Sequence, residues 1–151
     1  MKLTKRGEYG LRVLLALSRA YGQRTLSLRQ ISVDERLPVK FLEQIMMILK
    51  RARLVESVKG KHGGYSLARS PESITVGEVI RFVDGPLAPF ATADEIKRLI
   101  QKDSHHPGLY AVLLDVRNAI SEILDHKSLA DICTKSLELT SSRASNRMYY
   151  I

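Results

Sequence analysis

The chain has 151 residues, 44% of them apolar, with 24 Lys+Arg against 16 Asp+Glu and a single cysteine. That length fits one domain or a small domain with an added arm, and the apolar fraction excludes a chain disordered throughout. No apolar run approaches the roughly 18 residues that cross a bilayer, and the N-terminus lacks the charge–apolar–small order of a signal peptide. One cysteine, Cys133, allows neither an internal disulfide nor a cysteine cage for a metal. A cytoplasmic location is expected.

The charge is unevenly divided. Residues 1–85 hold 16 Lys+Arg against 8 Asp+Glu, whereas residues 86–151 hold 8 of each. Solubility does not require all of the +8 surplus in the front half; binding to phosphate does.

Leu3-Thr4-Lys5 starts a first helix, with Tyr9, Leu11, Val13, Leu14, Leu17, Ala20 and Tyr21 on its apolar face. Thr4 is its hydroxyl cap. Lys5, Arg6 and Arg12 lie on the solvated side, either as ordinary surface charge or as phosphate contacts near the helix start, where N–H groups and the dipole attract anions. Gly22-Gln23 ends this helix. Ser27-Leu28-Arg29-Gln30 has the form of a capping box and opens a second helix to about Arg36, with Ile31 and Leu37 facing inward. After a turn near Arg36-Leu37, Pro38 opens a third helix at a place where its missing N–H costs nothing. Phe41, Leu42, Ile45, Ile48, Leu49 and Ala52 form the buried face of that helix, to about Arg53. Then the period changes. Leu54, Val55 and Val58 begin one short extended run and Tyr65-Ser66-Leu67 a second, joined by Gly60-Lys61-His62-Gly63-Gly64. Two helices followed by a glycine-tipped hairpin make a winged helix-turn-helix, so the expected fold is mainly α with a small β-hairpin wing.

In this motif the second helix puts its N-terminal end into the major groove of DNA. The polar residues of its first two turns, Lys40, Glu43 and Gln44, have access to base edges. Gln pairs with adenine, Lys with guanine, and Glu accepts from cytosine N4; the sequence leaves open which of the three reads a base. The wing glycines permit positive φ and close approach to a sugar–phosphate strand. Lys59, Lys61 and His62 then reach the backbone or an adjacent minor groove, although His62 taken singly reads as a neutral surface side chain. With Thr4, Lys5 and Arg6 at the first helix start, and Ser27 and Arg29 at the second, these residues make up the candidate DNA-binding set.

Ser70-Pro71-Glu72 reads as a linker turn. Thr75-Val76-Gly77-Glu78 is another capping box, opening a short helix through Val79, Ile80 and Val83 that Asp84-Gly85-Pro86 stops. Charge and pattern both change here, so the DNA-binding domain is expected to span 1–85. Pro86 to Ala91 reads as a loop, Thr92-Ala93-Asp94-Glu95 caps a helix to about Lys102, and Asp103 to Gly108 is a polar break. A long helix follows, Leu109 to about His126, roughly 27 Å at ~1.5 Å per residue. It has too little of its own domain to bury against, and packing on a twin across a two-fold axis explains it. The expected homodimer interface is Leu109, Val112, Leu113, Val116, Ile120, Ile123 and Leu124. Ser128-Leu129-Ala130-Asp131 caps a last helix to about Leu139. The helical dimerisation arm is therefore placed at 86–139, and a polar tail at 140–151, where Tyr149, Tyr150 and Ile151 have no evident docking place.

Leu3-Thr4-Lys5, Tyr9, Phe41-Leu42-Glu43-Gln44-Ile45, Leu54-Val55, Ser57, Lys59-Gly60, Gly63 to Ala68, Pro71 and Ile74-Thr75-Val76 resemble the signature of the Rrf-two (Rrf2) family of bacterial winged-helix transcription regulators. The resemblance is close from Met1 to about Gly85 and holds only in outline beyond; Ser32 stands where the family more often has alanine. It implies a homodimer on a palindromic operator, with Glu43 and Lys59 near DNA. It also implies that the long rear helix crosses to the partner subunit. Cluster-binding members of the family place three cysteines in the loop before that helix, whereas residues 86–108 here have none. Thiolates hold iron–sulfur clusters, so no cluster and no other cofactor is expected, and Glu8, near where some members take a ligand, reads as a surface carboxylate.

His105-His106 has no third metal ligand close in sequence, and Cys133 reads as a structural thiol before a redox sensor. Nothing in the chain has the order of a catalytic triad, a phosphate loop or a carboxylate pair. The main expectation is a DNA-binding repressor under an unknown effector, and not an enzyme. The alternative is a protein-interaction module, or a regulator controlled by a partner enzyme.

Overall fold

The computed structural model describes residues 3–87 and 92–148. Most of the expected Pro86–Ala91 loop, and Tyr149 to Ile151, lie outside them. The described elements run α1 (Lys5–Ala20), α2 (Leu28–Glu35), α3 (Val39–Arg51), β1 (Val55–Val58), β2 (Gly64–Leu67), a 3-10 turn at Pro71–Ser73, α4 (Val76–Val83), α5 (Ala93–Lys102), α6 (Pro107–Asp125) and α7 (Leu129–Met148).

The capping chemistry sets the boundaries of the first helices. Thr4 Oγ1 accepts from the Gly7 amide at 3.1 Å. At α2, Ser27 Oγ accepts from the Gln30 amide and the Gln30 side chain accepts from the Ser27 amide, at 3.1 and 2.8 Å. Each bond satisfies an amide that the helix itself leaves open. α2 ends with Arg36 in the left-handed region, φ 53°, which turns the chain sharply into α3. Pro38 stands at the N-cap of α3 with no side-chain bond.

The core gathers one face of every element in the front half. Val13, Leu14, Leu17, Ile31, Leu42, Ile45, Leu49, Leu54 and Leu67 are almost wholly shielded from water. Leu129, from the first turn of α7, lies in the same core with no exposure. It is drawn in by a short bridge: the Val76 amide donates to the Lys127 carbonyl at 2.8 Å and the Leu129 amide to Ile74 at 2.9 Å. The start of α7 is thus built into the front half, although Gly85 separates the two in sequence.

Three local expectations are corrected. At Thr75 only half of the capping box forms: Thr75 Oγ1 accepts from the Glu78 amide at 3.2 Å, but the Glu78 carboxylate is taken by Arg69, a cation that out-competes a backbone amide for it. Pro71–Ser73 is a 3-10 turn, not a plain linker. The last helix continues past Leu139 to Met148; the Thr140 hydroxyl finds its partner inside the helix, donating to the Ser136 carbonyl at 2.8 Å.

Candidate nucleic-acid interface

α3 is held at both ends. Its first turn packs against α1 through Phe41, which meets Tyr9 edge-to-face at 5.4 Å and 81°. The Lys5 ammonium and the Arg12 guanidinium stand 5.8 and 5.7 Å from the same Tyr9 ring. Its last turn is tied to the hairpin by Lys50, whose Nζ donates to Ser57 Oγ at 3.1 Å. Leu42, Ile45, Met46 and Leu49 are buried, which leaves Lys40, Glu43, Gln44, Met47, Lys50 and Arg51 exposed.

The wing is β1 paired antiparallel with β2, Val55 opposite Leu67 through Val58 opposite Gly64. A third segment braces it. Leu26 exchanges amide and carbonyl bonds with Tyr65 at 3.0 and 2.8 Å, and Thr25 Oγ1 donates to the His62 carbonyl at 2.8 Å. The tip that carries Lys59, Lys61 and His62 is therefore fixed to the entry of α2. Two of the wing glycines, Gly63 and Gly64, are required by packing within the chain, whereas a Cβ at Gly60 would meet open space. A Cβ at Gly64 would lie 2.7 Å from the Leu26 carbonyl oxygen, and one at Gly63 would strike the Val58 carbonyl. Gly60 has φ +119°, which only glycine adopts freely.

The cations sort into two groups. Lys5 pairs with Glu8 at 3.1 Å on the open surface, and Arg12 and Arg19 converge on Glu35 at 3.6 and 2.7 Å. Among the described residues of the candidate set Arg6, Arg29, Lys40, Lys59 and Lys61 have no ion-pair partner and stand exposed, as do Arg24, Arg36, Lys50, Arg51 and Arg53 outside that set. Arg6 and Gln44 line one shallow cleft of about 220 Å3, together with Phe41, Ile45, Met47 and Ile48. The start of α1 and the outer face of α3 thus meet.

Two expected site residues have structural duties. The Thr4 amide donates to Asp84 Oδ2 at 3.0 Å, and its hydroxyl bonds the other oxygen of the same carboxylate while capping Gly7. A Cβ at Gly7 would overlap that carboxylate. Ser27 is committed to its capping box. Both hydroxyls place a helix start before they can serve a ligand.

In the rear half, Ile96 of α5 is buried and α6 has no buried residue. The seven candidate interface positions fall on two sides. Ile120 and Leu124 pack on the small cluster of Val76, Ile80 and Leu87, and Leu113 is half-buried. Leu109, Val112, Val116 and Ile123 are exposed, at 57, 59, 44 and 61%. The Arg81 guanidinium grips Asp125 with two bonds of 2.6 and 2.8 Å, fixing α6 to α4.

Asp103, at the end of α5, closes the turn before α6 by accepting from the His105 and His106 amides at 2.8 and 3.2 Å; the first of these bonds holds its carboxyl below the usual range. Cys133 is half-buried, and desolvation pushes its thiol up, away from the reactive thiolate. Among the described residues no three of His, Cys, Asp and Glu gather as a metal site, and no helix is long and apolar enough to cross a membrane. An iron–sulfur cluster does not fit residues 86–108, which offer no thiolate.

Residues 3–135 match the Rrf2 family, described as "Iron-dependent Transcriptional regulator". The chain is 30% identical to the HTH-type transcriptional regulator CymR of Bacillus subtilis over 151 residues, the whole of both chains. It is 42% identical to the HTH-type transcriptional regulator IscR of Cereibacter sphaeroides over 86 residues, 56% of each. Among solved structures it is similar to CymR (YrzC), the global cysteine regulator of B. subtilis, with a TM-score of 0.77 and 30% identity, covering 89% of this chain and 98% of that one.

Proposed function

The chain belongs to the Rrf2 family of transcriptional regulators, and from that premise we propose that it is a homodimeric, sequence-specific DNA-binding repressor, cytoplasmic and without an iron–sulfur cluster. The observation that carries this reading is that five cations of the candidate set, Arg6, Arg29, Lys40, Lys59 and Lys61, stand exposed and unpaired on α1, α2, α3 and the wing. Lys40, Glu43 and Gln44 face base edges; the others, with Lys5 and His62, contact phosphate and groove walls. Thr4 and Ser27 hold helix starts in place beside them. Residues 1–85 read DNA and residues 86–139 join two copies, with the first turn of α7 as the anchor between them.

The open stripe of α6, Leu109, Val112, Val116 and Ile123, supports the dimer. Two reading heads would then enter major grooves about one turn, ~10 bp, or a multiple of that apart. The test is a gel-shift titration on duplexes selected by the protein from a random pool. Lys59→Glu is expected to weaken binding more than ~10-fold with an unchanged melting temperature, as one desolvated contact turned repulsive would do. Unchanged affinity would remove the wing from the site. A reporter carrying the selected duplex beside its promoter is expected to fall when the protein is expressed; a rise would make the protein an activator. The anaerobically purified protein is expected to show no sulfide-to-iron absorption bands.

A further inference from the structure

α3 carries two exposed apolar residues, Val39 at its first position, 44% open, and Met47 in its second half. With Leu42, Ile45, Met46 and Leu49 buried, a rotation of ~100° per residue puts the middle of the outer face at Lys40, Met47 and Arg51. The other exposed residues from Lys40 to Arg51 are polar or charged, yet Met47 keeps 51% of its surface open. An amphipathic helix has a polar residue at the centre of its outer face. Met47 is also part of a formed recess, the cleft of about 220 Å3 with Phe41, Ile45 and Ile48 as apolar lining and Gln44 and Arg6 as its polar groups.

Gln44 and Met47 are three residues apart, neighbours on the helix surface, and ~4.5 Å apart along its axis. Successive base pairs are ~3.4 Å apart. A helix lying along the major groove therefore presents these two side chains to neighbouring steps. In that groove thymine alone among the bases offers an apolar group, its C5-methyl. A thioether on an unbranched stem adapts to such a group. The surroundings favour a polyanion over an apolar protein partner, since Arg6, Lys40, Lys50 and Arg51 all stand exposed around or along this face.

We infer that Met47 seats the C5-methyl of a thymine against this cleft, one base step from the pair that Gln44 reads, and so selects thymine at one position of each half-site. The inference rests on the DNA-reading role proposed above and names a base that this role requires.

The probe is a duplex selected by the full chain, with each thymine replaced in turn by deoxyuridine, which removes the methyl group alone. One thymine per half-site is expected to weaken binding about fourfold when replaced, the factor that burying one methyl group is worth. Met47→Ser is expected to bind the thymine and uracil versions equally, and to melt with the wild type because the side chain is exposed. Binding insensitive to every replacement, or a Met47→Ser protein that still discriminates, overturns the inference and leaves DNA reading intact. Self-association that Met47→Ser abolishes, with both duplexes bound alike, would assign the cleft to a second copy and also overturn it. If no duplex is selected at all, the DNA-reading role itself fails.

Discussion

At the residue scale, the wing shows how a side chain that is absent can determine a surface. Gly64 lets the hairpin lie against Leu26 with no room for a Cβ. Gly64→Ala is expected to cost about 2 kcal/mol, the usual size of a forced backbone shift, and denaturant titration should show it; a variant as stable as the wild type would mean the brace at Leu26 is dispensable. Arg53 follows α3 with φ 56°, a region that costs a residue with a Cβ about 1 kcal/mol or more. Arg53→Val should lower the melting temperature by several degrees, because a β-branched residue tolerates that region least, whereas Arg53→Gly should hold it or raise it. Equal melting of the two variants would show that strain at this turn is not felt.

At the element scale, α6 is attached to α4 by the pair Arg81–Asp125. The two Arg81 bonds hold the Asp125 carboxyl below its usual range, and the same contact raises Arg81. A carboxyl whose folded pKa is depressed adds stability above its unfolded value, near ~3.9, and loses it as the pH falls through the lower folded value. The side chains are 42 and 37% exposed, so solvent screening keeps the pair at or below about 1 kcal/mol. Asp125→Asn should therefore lower the melting temperature slightly at neutral pH and converge with the wild type as the pH falls below ~4. A difference that grew with acid would contradict this assignment.

At the scale of the whole molecule, the question is what covers α6. In the proposed dimer its open residues meet their equivalents on the partner, and two reading heads gain from joint binding. Val112→Glu with Val116→Glu should leave each subunit folded, because both side chains are exposed in the single chain, and should convert the dimer to monomers in sedimentation equilibrium. Operator affinity should drop at least ~100-fold with the loss of two-site binding. A variant that remains dimeric would place the interface elsewhere. Binding should also fall steeply with salt, with a slope set by the number of phosphates neutralised.

Local chemistry alone was enough to read α1 to α5, the turn before α3 and the hairpin, because caps, proline, glycine and apolar period act over a few residues, and the chain carries them in plain order. Family membership was legible in the same way, from Phe41-Leu42-Glu43-Gln44-Ile45 and Gly63-Gly64-Tyr65. What depends on distant partners was not legible. Only the tertiary structure decided that Glu78 serves Arg69 and not its own cap, and that Leu129 belongs to the front core. It also decided that Gly64 makes room for Leu26, and that Ile120 and Leu124 turn inward while Val112 and Val116 stay open. Met47 lies between the two cases: its spacing from Leu42, Ile45, Met46 and Leu49 already put it outside, but the run of apolar letters from Ile45 to Leu49 hid it until burial separated them. The physical reason is one of range. A cap or a helical period is settled by neighbours within about four residues along the chain, whereas a contact beyond that range, such as Arg69 to Glu78 or Leu26 to Gly64, depends on where the fold brings the two residues.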